Sequence, residues 1–160
     1  MTGFANLADA GARLVPAVSD VASGLRDPLV LAIVPNGVPV AEPLVEALAL
    51  PLAGAYLDRE GEPHVTDIPE VHGRDVIVVD DGVETGTAAR LVGAALRSGG
   101  ATQAVLAVPV CPRQAEAGLI TLYDEIVAID RPLARRDLHW HYVDFDTIDE
   151  AEARRRLHDR

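Results

Sequence analysis

The sequence contains no lysine: all 14 of its basic residues are arginine. That excludes the lysine of a P-loop and any Schiff-base nucleophile. Cysteine occurs once, at Cys111, which excludes an internal disulfide framework and a cysteine-rich zinc site. No apolar run approaches the ~20 residues needed to span a bilayer. The opening MTGFANLADAGARL lacks a basic start followed by an apolar block, so no secretory signal and no membrane role are expected, and the cytoplasm is the expected location. Positive charge is scarce. Against the arginines stand 25 acidic residues, a net charge of -11, which argues against general nucleic-acid binding, because phosphate backbones reward a basic face. Neither G-x-G-x-x-G nor G-x-S-x-G occurs, which counts against dinucleotide-binding and hydrolase readings.

What is present is apolar sequence in short blocks. The chain has 160 residues, 49% of them hydrophobic, enough for one domain with a real core. Five blocks, 29–34, 52–57, 76–79, 104–110 and 125–129, are aliphatic, β-rich and bounded by turn residues, so they are read as strands. None alternates strictly between apolar and polar, which suits strands buried on both faces of a parallel sheet. Helical stretches lie at 6–22, 38–50 and 89–98. The repeated strand-then-helix order predicts an α/β fold, an open, mainly parallel sheet flanked by helices. A C-terminal helix is expected to start at a capping box of Thr147 and Glu150, with Arg154, Arg155 and Arg156 in its last turn complementing the helix dipole. The stretch 58–73, rich in proline, glycine and charge, is expected to be a mobile surface loop, the usual form of a lid.

One segment stands out, VIVVDDGVETGTAAR at 76–90. An aliphatic strand runs directly into Asp80 and Asp81. In open α/β sheets ligands bind beyond the carboxyl ends of strands, and adjacent carboxylates at that edge need a partner such as sugar hydroxyls or a magnesium ion. Gly82 and Val83 lead into Glu84, Thr85, Gly86, Thr87 and Ala88, a short turn opening a helix, where backbone N–H groups and hydroxyls can cradle a phosphate. The alternative for the turn alone is an ordinary polar junction in which Thr87 caps the helix.

This segment resembles the phosphoribosyl pyrophosphate (PRPP) signature of the type I phosphoribosyltransferases. FANLADAGARL, LAIVPNGVPVAEPL and HWHYVDF are similar to corresponding parts of a group of short bacterial phosphoribosyltransferase-domain proteins. The resemblance implies that Asp80 and Asp81 bind the ribose hydroxyls and help place Mg2+, and that residues 84–88 wrap the 5′-phosphate. Glu84 takes the place of an acid suited to proton transfer at the nucleobase, and Pro35, Asn36 and Gly37 form the pyrophosphate loop. By the same resemblance 58–73 is the segment that closes over the substrate, and the C-terminal part, 130–160, holds the base. Trp140 and Tyr142 are then candidates for base stacking, or else an aromatic pair closing the core beside Phe145. Implied partners are PRPP or a nucleoside monophosphate, pyrophosphate and a nucleobase, with the chain as a homodimer.

The sequence departs from that pattern twice. Asn36 stands where the pyrophosphate loop usually carries a basic residue, which weakens the electrostatic case for turnover. Arg113, after the fourth strand, is a candidate substitute, or else a surface arginine starting a helix. On this reading, Arg at position 36 is expected to raise activity or pyrophosphate affinity. The phosphate loop also ends in Ala88 rather than a threonine, with Thr87 as the compensating hydroxyl. Residues 58–85 hold nine acids and two arginines, so a polyanion is expected to bind only with Mg2+. The second reading is a protein that senses PRPP or a nucleotide without turnover. A receiver-type signalling domain fits badly, since no lysine completes its site. His139 and His141, two apart, would share one face of a strand, without a third metal ligand at suggestive spacing.

Overall fold

Strands β1 (Leu29–Ile33) and β4 (Asp75–Val79) are buried along their whole length. Their side chains alternate between two cores, not between core and water. Val30, Ala32, Ile77 and Val79 face one apolar cluster, while Leu31, Ile33, Val76 and Val78 face the other. That explains the absence of a polar period in their sequences. The computed structural model describes residues 3–160. The remaining strands are β2 (Leu52–Asp58), β3 (His64–Asp67), β5 (Gln103–Val110) and β6 (Glu125–Asp130). They form one six-stranded sheet in the order β3-β2-β1-β4-β5-β6. Every pairing is parallel except β2 with β3. The expected α/β architecture is the observed one.

Helices α1 (Leu7–Ala22), α2 (Gly37–Leu48) and α5 (Glu150–His158) cover one face of the sheet. Helices α3 (Thr87–Ser98) and α4 (Arg113–Leu119) cover the other. Asn6 caps α1, its side-chain oxygen accepting from the Asp9 N–H at 2.8 Å. α1 and α2 touch closely because Gly11 has no Cβ; one there would run into the Val40 carbonyl. Buried Asp75, at the start of β4, is satisfied by the Arg26 N–H at 2.7 Å. Among the described residues no helix is long and apolar enough to cross a membrane.

Three local expectations are corrected. Stretch 58–73 is not one irregular loop: it contains β3, which pairs antiparallel with β2 through Leu57–Val65 and Asp58–His64. Its few apolar residues find a core, since Val71 is 1% exposed and Val65 and Ile68 pack against the second cluster, and the charged composition masked that pattern. Helix α5 is capped by Asp149, not Thr147; the Asp149 carboxylate accepts from the Glu152 N–H at 2.8 Å. A carboxylate at this position both caps and suits the positive helix end. His139 and His141 lie on a 3-10 turn, Leu138–His141, not a strand, and only His141 is buried.

Candidate functional site

The direction in which strands are added to the sheet reverses between β1 and β4, which run parallel. After β1 the chain passes into α2 on one face; after β4 it passes into α3 on the other. The two strands are hydrogen-bonded neighbours, with Ala32 beside Val79. Their outgoing loops therefore diverge and open a crevice at the carboxyl edge, the general position for ligands in such sheets. A cleft of about 440 Å3 fills that crevice, and its walls include Pro35, Asn36, Arg59, Leu138 and the whole run from Asp80 to Ala89. Gly37 closes the angle between the loops: a Cβ there would lie 2.5 Å from the Val79 carbonyl oxygen.

The two aspartates are held by backbone and burial, with no cation fully committed to them. The Asp80 carboxylate accepts from the Asp81 N–H at 2.8 Å. Burial pushes the Asp80 carboxyl well above its ordinary range, and the neighbouring Asp81 charge pushes it further. Burial also drives Asp81 up to about 6, against the opposing pull of hydrogen bonds and Arg59. Two such groups side by side favour a ligand that brings positive charge or hydroxyl donors. Among the described residues no cluster of three or more His, Cys, Asp or Glu could hold a metal by itself. A pair of carboxylates nevertheless suits Mg2+, which typically takes one or two carboxylates and completes its shell with water and substrate phosphates.

Beyond Asp81 the chain bends at Gly82, whose φ of +144° only glycine adopts without strain, and a Cβ there would meet Leu138 at 2.5 Å. The Val83 N–H donates to the Val110 carbonyl at 2.8 Å, tying this loop to β5. Gly86, at φ +86°, is the N-cap of α3 and has no side chain with which to cap it. Thr87 is thus not the cap but the first helical residue. The first-turn amides, which have no intrahelical acceptor, belong to residues lining the cleft. Thr85 and Thr87 bring their hydroxyl oxygens within 3.1 Å of each other at the same spot.

The C-terminal segment ties this site together from outside. The Leu138 N–H donates to Glu84 Oε1 at 2.9 Å. The Tyr142 hydroxyl donates to the Asp81 carbonyl at 2.6 Å. The Ile148 N–H donates to Asn36 Oδ1 at 2.9 Å. The loop after β1 is thereby fastened to the stretch 138–148 by one bond and the loop after β4 by two.

Other candidates fall elsewhere. Tyr142 is buried, stacked on Phe145 with centroids 4.9 Å apart, and lies behind the aspartates instead of lining the cleft. Trp140 is 48% exposed with the Arg136 guanidinium 4.5 Å from its ring centroid, and it does not line the cleft. Arg113 starts α4 and donates to the Arg131 carbonyl at 3.3 Å, also away from the cleft. The cation that does line it is Arg59, which donates to the Val34 carbonyl at 3.2 Å. Sequence reasoning missed it inside an acidic stretch. The available signal was its place one residue past β2, which pairs with β1. Leu138, another wall residue that was missed, arrives from a segment distant in sequence and carried no signal.

The family model for the phosphoribosyl transferase domain matches residues 6–131, more than half of the chain. The chain belongs to this family. Its fold is that of the type I phosphoribosyltransferases. TT1426 from Thermus thermophilus superimposes with a TM-score of 0.85 at 22% identity, covering 98% of both chains. Adenine phosphoribosyltransferase from Thermoanaerobacter pseudethanolicus gives 0.60 at 15% identity over 76% of this chain and 80% of its own. A hypothetical protein from Neisseria gonorrhoeae with bound ppGpp gives 0.65 at 20% identity over 96% and 92%. The matched region of this phosphoribosyltransferase-domain chain contains both loops of the cleft and Arg59, and stops before the fastening segment 138–148.

Proposed function

We propose that the chain binds PRPP with Mg2+ and transfers its 5-phosphoribosyl group to a ring nitrogen of a nucleobase, releasing pyrophosphate. One observation carries this reading: the aspartate pair and the 84–88 turn line the same cleft at the crevice between β1 and β4. Asp80 and Asp81 hold the ribose 2′- and 3′-hydroxyls, while the amides and hydroxyls of 84–88 hold the 5′-phosphate. Asp80 and Asp81 would help hold Mg2+, which would supply positive charge to a bound polyanion. Fixed at both ends, the sugar presents C1′ to the acceptor. The C1′–O bond breaks with its electron pair going to pyrophosphate, an N–C1′ bond forms, and the acceptor nitrogen gives up its proton. Glu84 has Oε1 engaged by Leu138, leaving Oε2 to take that proton. Carboxylates next to C1′ favour its developing positive charge, and Arg59 favours the departing pyrophosphate.

A second reading, recognition of PRPP or a nucleotide without turnover, has its own support. Asn36 supplies no charge to the pyrophosphate loop and is engaged with Ile148. The Neisseria gonorrhoeae protein of similar fold has bound ppGpp. Calorimetric titration with PRPP and Mg2+, followed by a pyrophosphate-release screen across purines and pyrimidines, separates the two. Release with at least one base supports transfer. Binding without release for any base supports recognition alone; no binding of PRPP contradicts transfer, and no binding of either PRPP or a nucleoside monophosphate contradicts both.

A further inference from the structure

Arg90 lies one turn into α3, and its guanidinium folds back over the 84–88 turn. Nη1 donates to the Thr85 carbonyl at 3.0 Å, and Nη2 donates to Thr87 Oγ1 at 3.4 Å. Thr87 Oγ1 lies 3.1 Å from Thr85 Oγ1, which also accepts from the Thr87 N–H at 3.4 Å. The two hydroxyls hold two protons and use one between them. The other is left for an outside acceptor. Arg90 stands behind them as a donor that cannot accept and cannot lose its charge. A cation donating into a hydroxyl chain polarises it, which strengthens the O–H at the far end. Its second bond covers the Thr85 carbonyl, whose partial negative charge would oppose an incoming anion.

We propose that Arg90 is a positioning residue that, through the Thr87–Thr85 hydroxyl pair, makes the turn selective for a phosphoryl group over a neutral hydroxyl. This rests on the function proposed above and extends it to a residue outside the cleft wall. It also accounts for Ala88: where the turn has no hydroxyl to offer, a guanidinium reinforces the two that remain. Gly86 is part of the device, because a Cβ there would come within 3.0 Å of Arg90 Nη1. A phosphate fits such a turn because its oxygens only accept. A dephosphorylated sugar, whose 5′-hydroxyl also carries a proton, gains far less from a polarised donor.

The test is calorimetric titration of ribose 5-phosphate into the unsubstituted chain, Arg90→Gln, Arg90→Lys, Thr85→Val and the Arg90→Gln/Thr85→Val double variant. Ribose is the phosphate-free control. Arg90→Gln is expected to weaken ribose 5-phosphate binding by about tenfold, the scale of a lost charge-assisted bond. It leaves the response to ribose unchanged. Arg90→Lys, which keeps a charged donor, recovers most of the affinity and serves equally if the glutamine variant folds poorly. In the double variant the Arg90 change adds little to the Thr85 change, because the two act through one chain. Equal affinity in Arg90→Gln, or the same loss in the Thr85→Val background as alone, overturns the relay while leaving the proposed function intact. No binding of ribose 5-phosphate by the unsubstituted chain overturns both.

Discussion

The Tyr142 hydroxyl donates a 2.6 Å hydrogen bond to the backbone carbonyl of Asp81. A residue considered for base stacking thus acts from behind, fixing the peptide that leaves the aspartate pair. Tyr142→Phe keeps the ring between Phe4 and Phe145 but strips that buried carbonyl of its partner. The expected cost is about 1–3 kcal/mol in urea denaturation, with weaker ribose 5-phosphate binding. Unchanged stability would show that the carbonyl finds another donor.

Asn36 holds the C-terminal segment through the Ile148 N–H. The structure therefore reverses the expectation that arginine here is a gain. Asn36→Arg removes the acceptor and leaves a part-buried N–H unpaired, a loss of about 1–2 kcal/mol, and loosens the pyrophosphate loop. Asn36→Asp keeps an acceptor and most of the stability. A rise in pyrophosphate affinity with undiminished stability in Asn36→Arg would restore the charge argument.

Arg59 is the arginine lining the cleft. Arg59→Gln is expected to weaken pyrophosphate binding by about tenfold through loss of a charge-assisted contact. Ribose 5-phosphate, which lacks pyrophosphate, should lose much less. Equal losses for both ligands would place Arg59 elsewhere in the binding mode.

Burial raises both aspartate carboxyls above the ordinary 3.8, Asp81 to about 6. Between pH 3.8 and about 6 the folded chain therefore holds protons that the unfolded chain releases. The two carboxyls' contribution to stability is fully present below that window and is lost as pH rises through it. Asp81→Asn removes the penalty, so its thermal midpoint at pH 8 should exceed the parent's by about 2–6 °C. The difference should shrink towards pH 4, and ligand binding should be lost. A difference constant across pH would contradict this.

The sheet was legible because its strands are short, aliphatic and separated by helical stretches, and the β4 edge because Asp80 and Asp81 interrupt an apolar run. β3 was hidden because a strand at the sheet edge with mostly exposed residues carries little apolar signal. Leu138 and the role of Tyr142 were beyond reach for a different reason. Both depend on where the distant C-terminal segment lands, and no local pattern encodes that. For Asn36 the residue type showed only a missing charge, while its bond to Ile148 joins positions 112 apart and has no local signature.

The most direct test is a crystal structure of the chain with ribose 5-phosphate at saturating concentration. The phosphoryl oxygens should lie within hydrogen-bond distance of the amides and hydroxyls of residues 84–88, and the sugar hydroxyls on Asp80 and Asp81. A ligand bound elsewhere, or a cleft left open while both carboxylates pair with protein groups, would contradict the account.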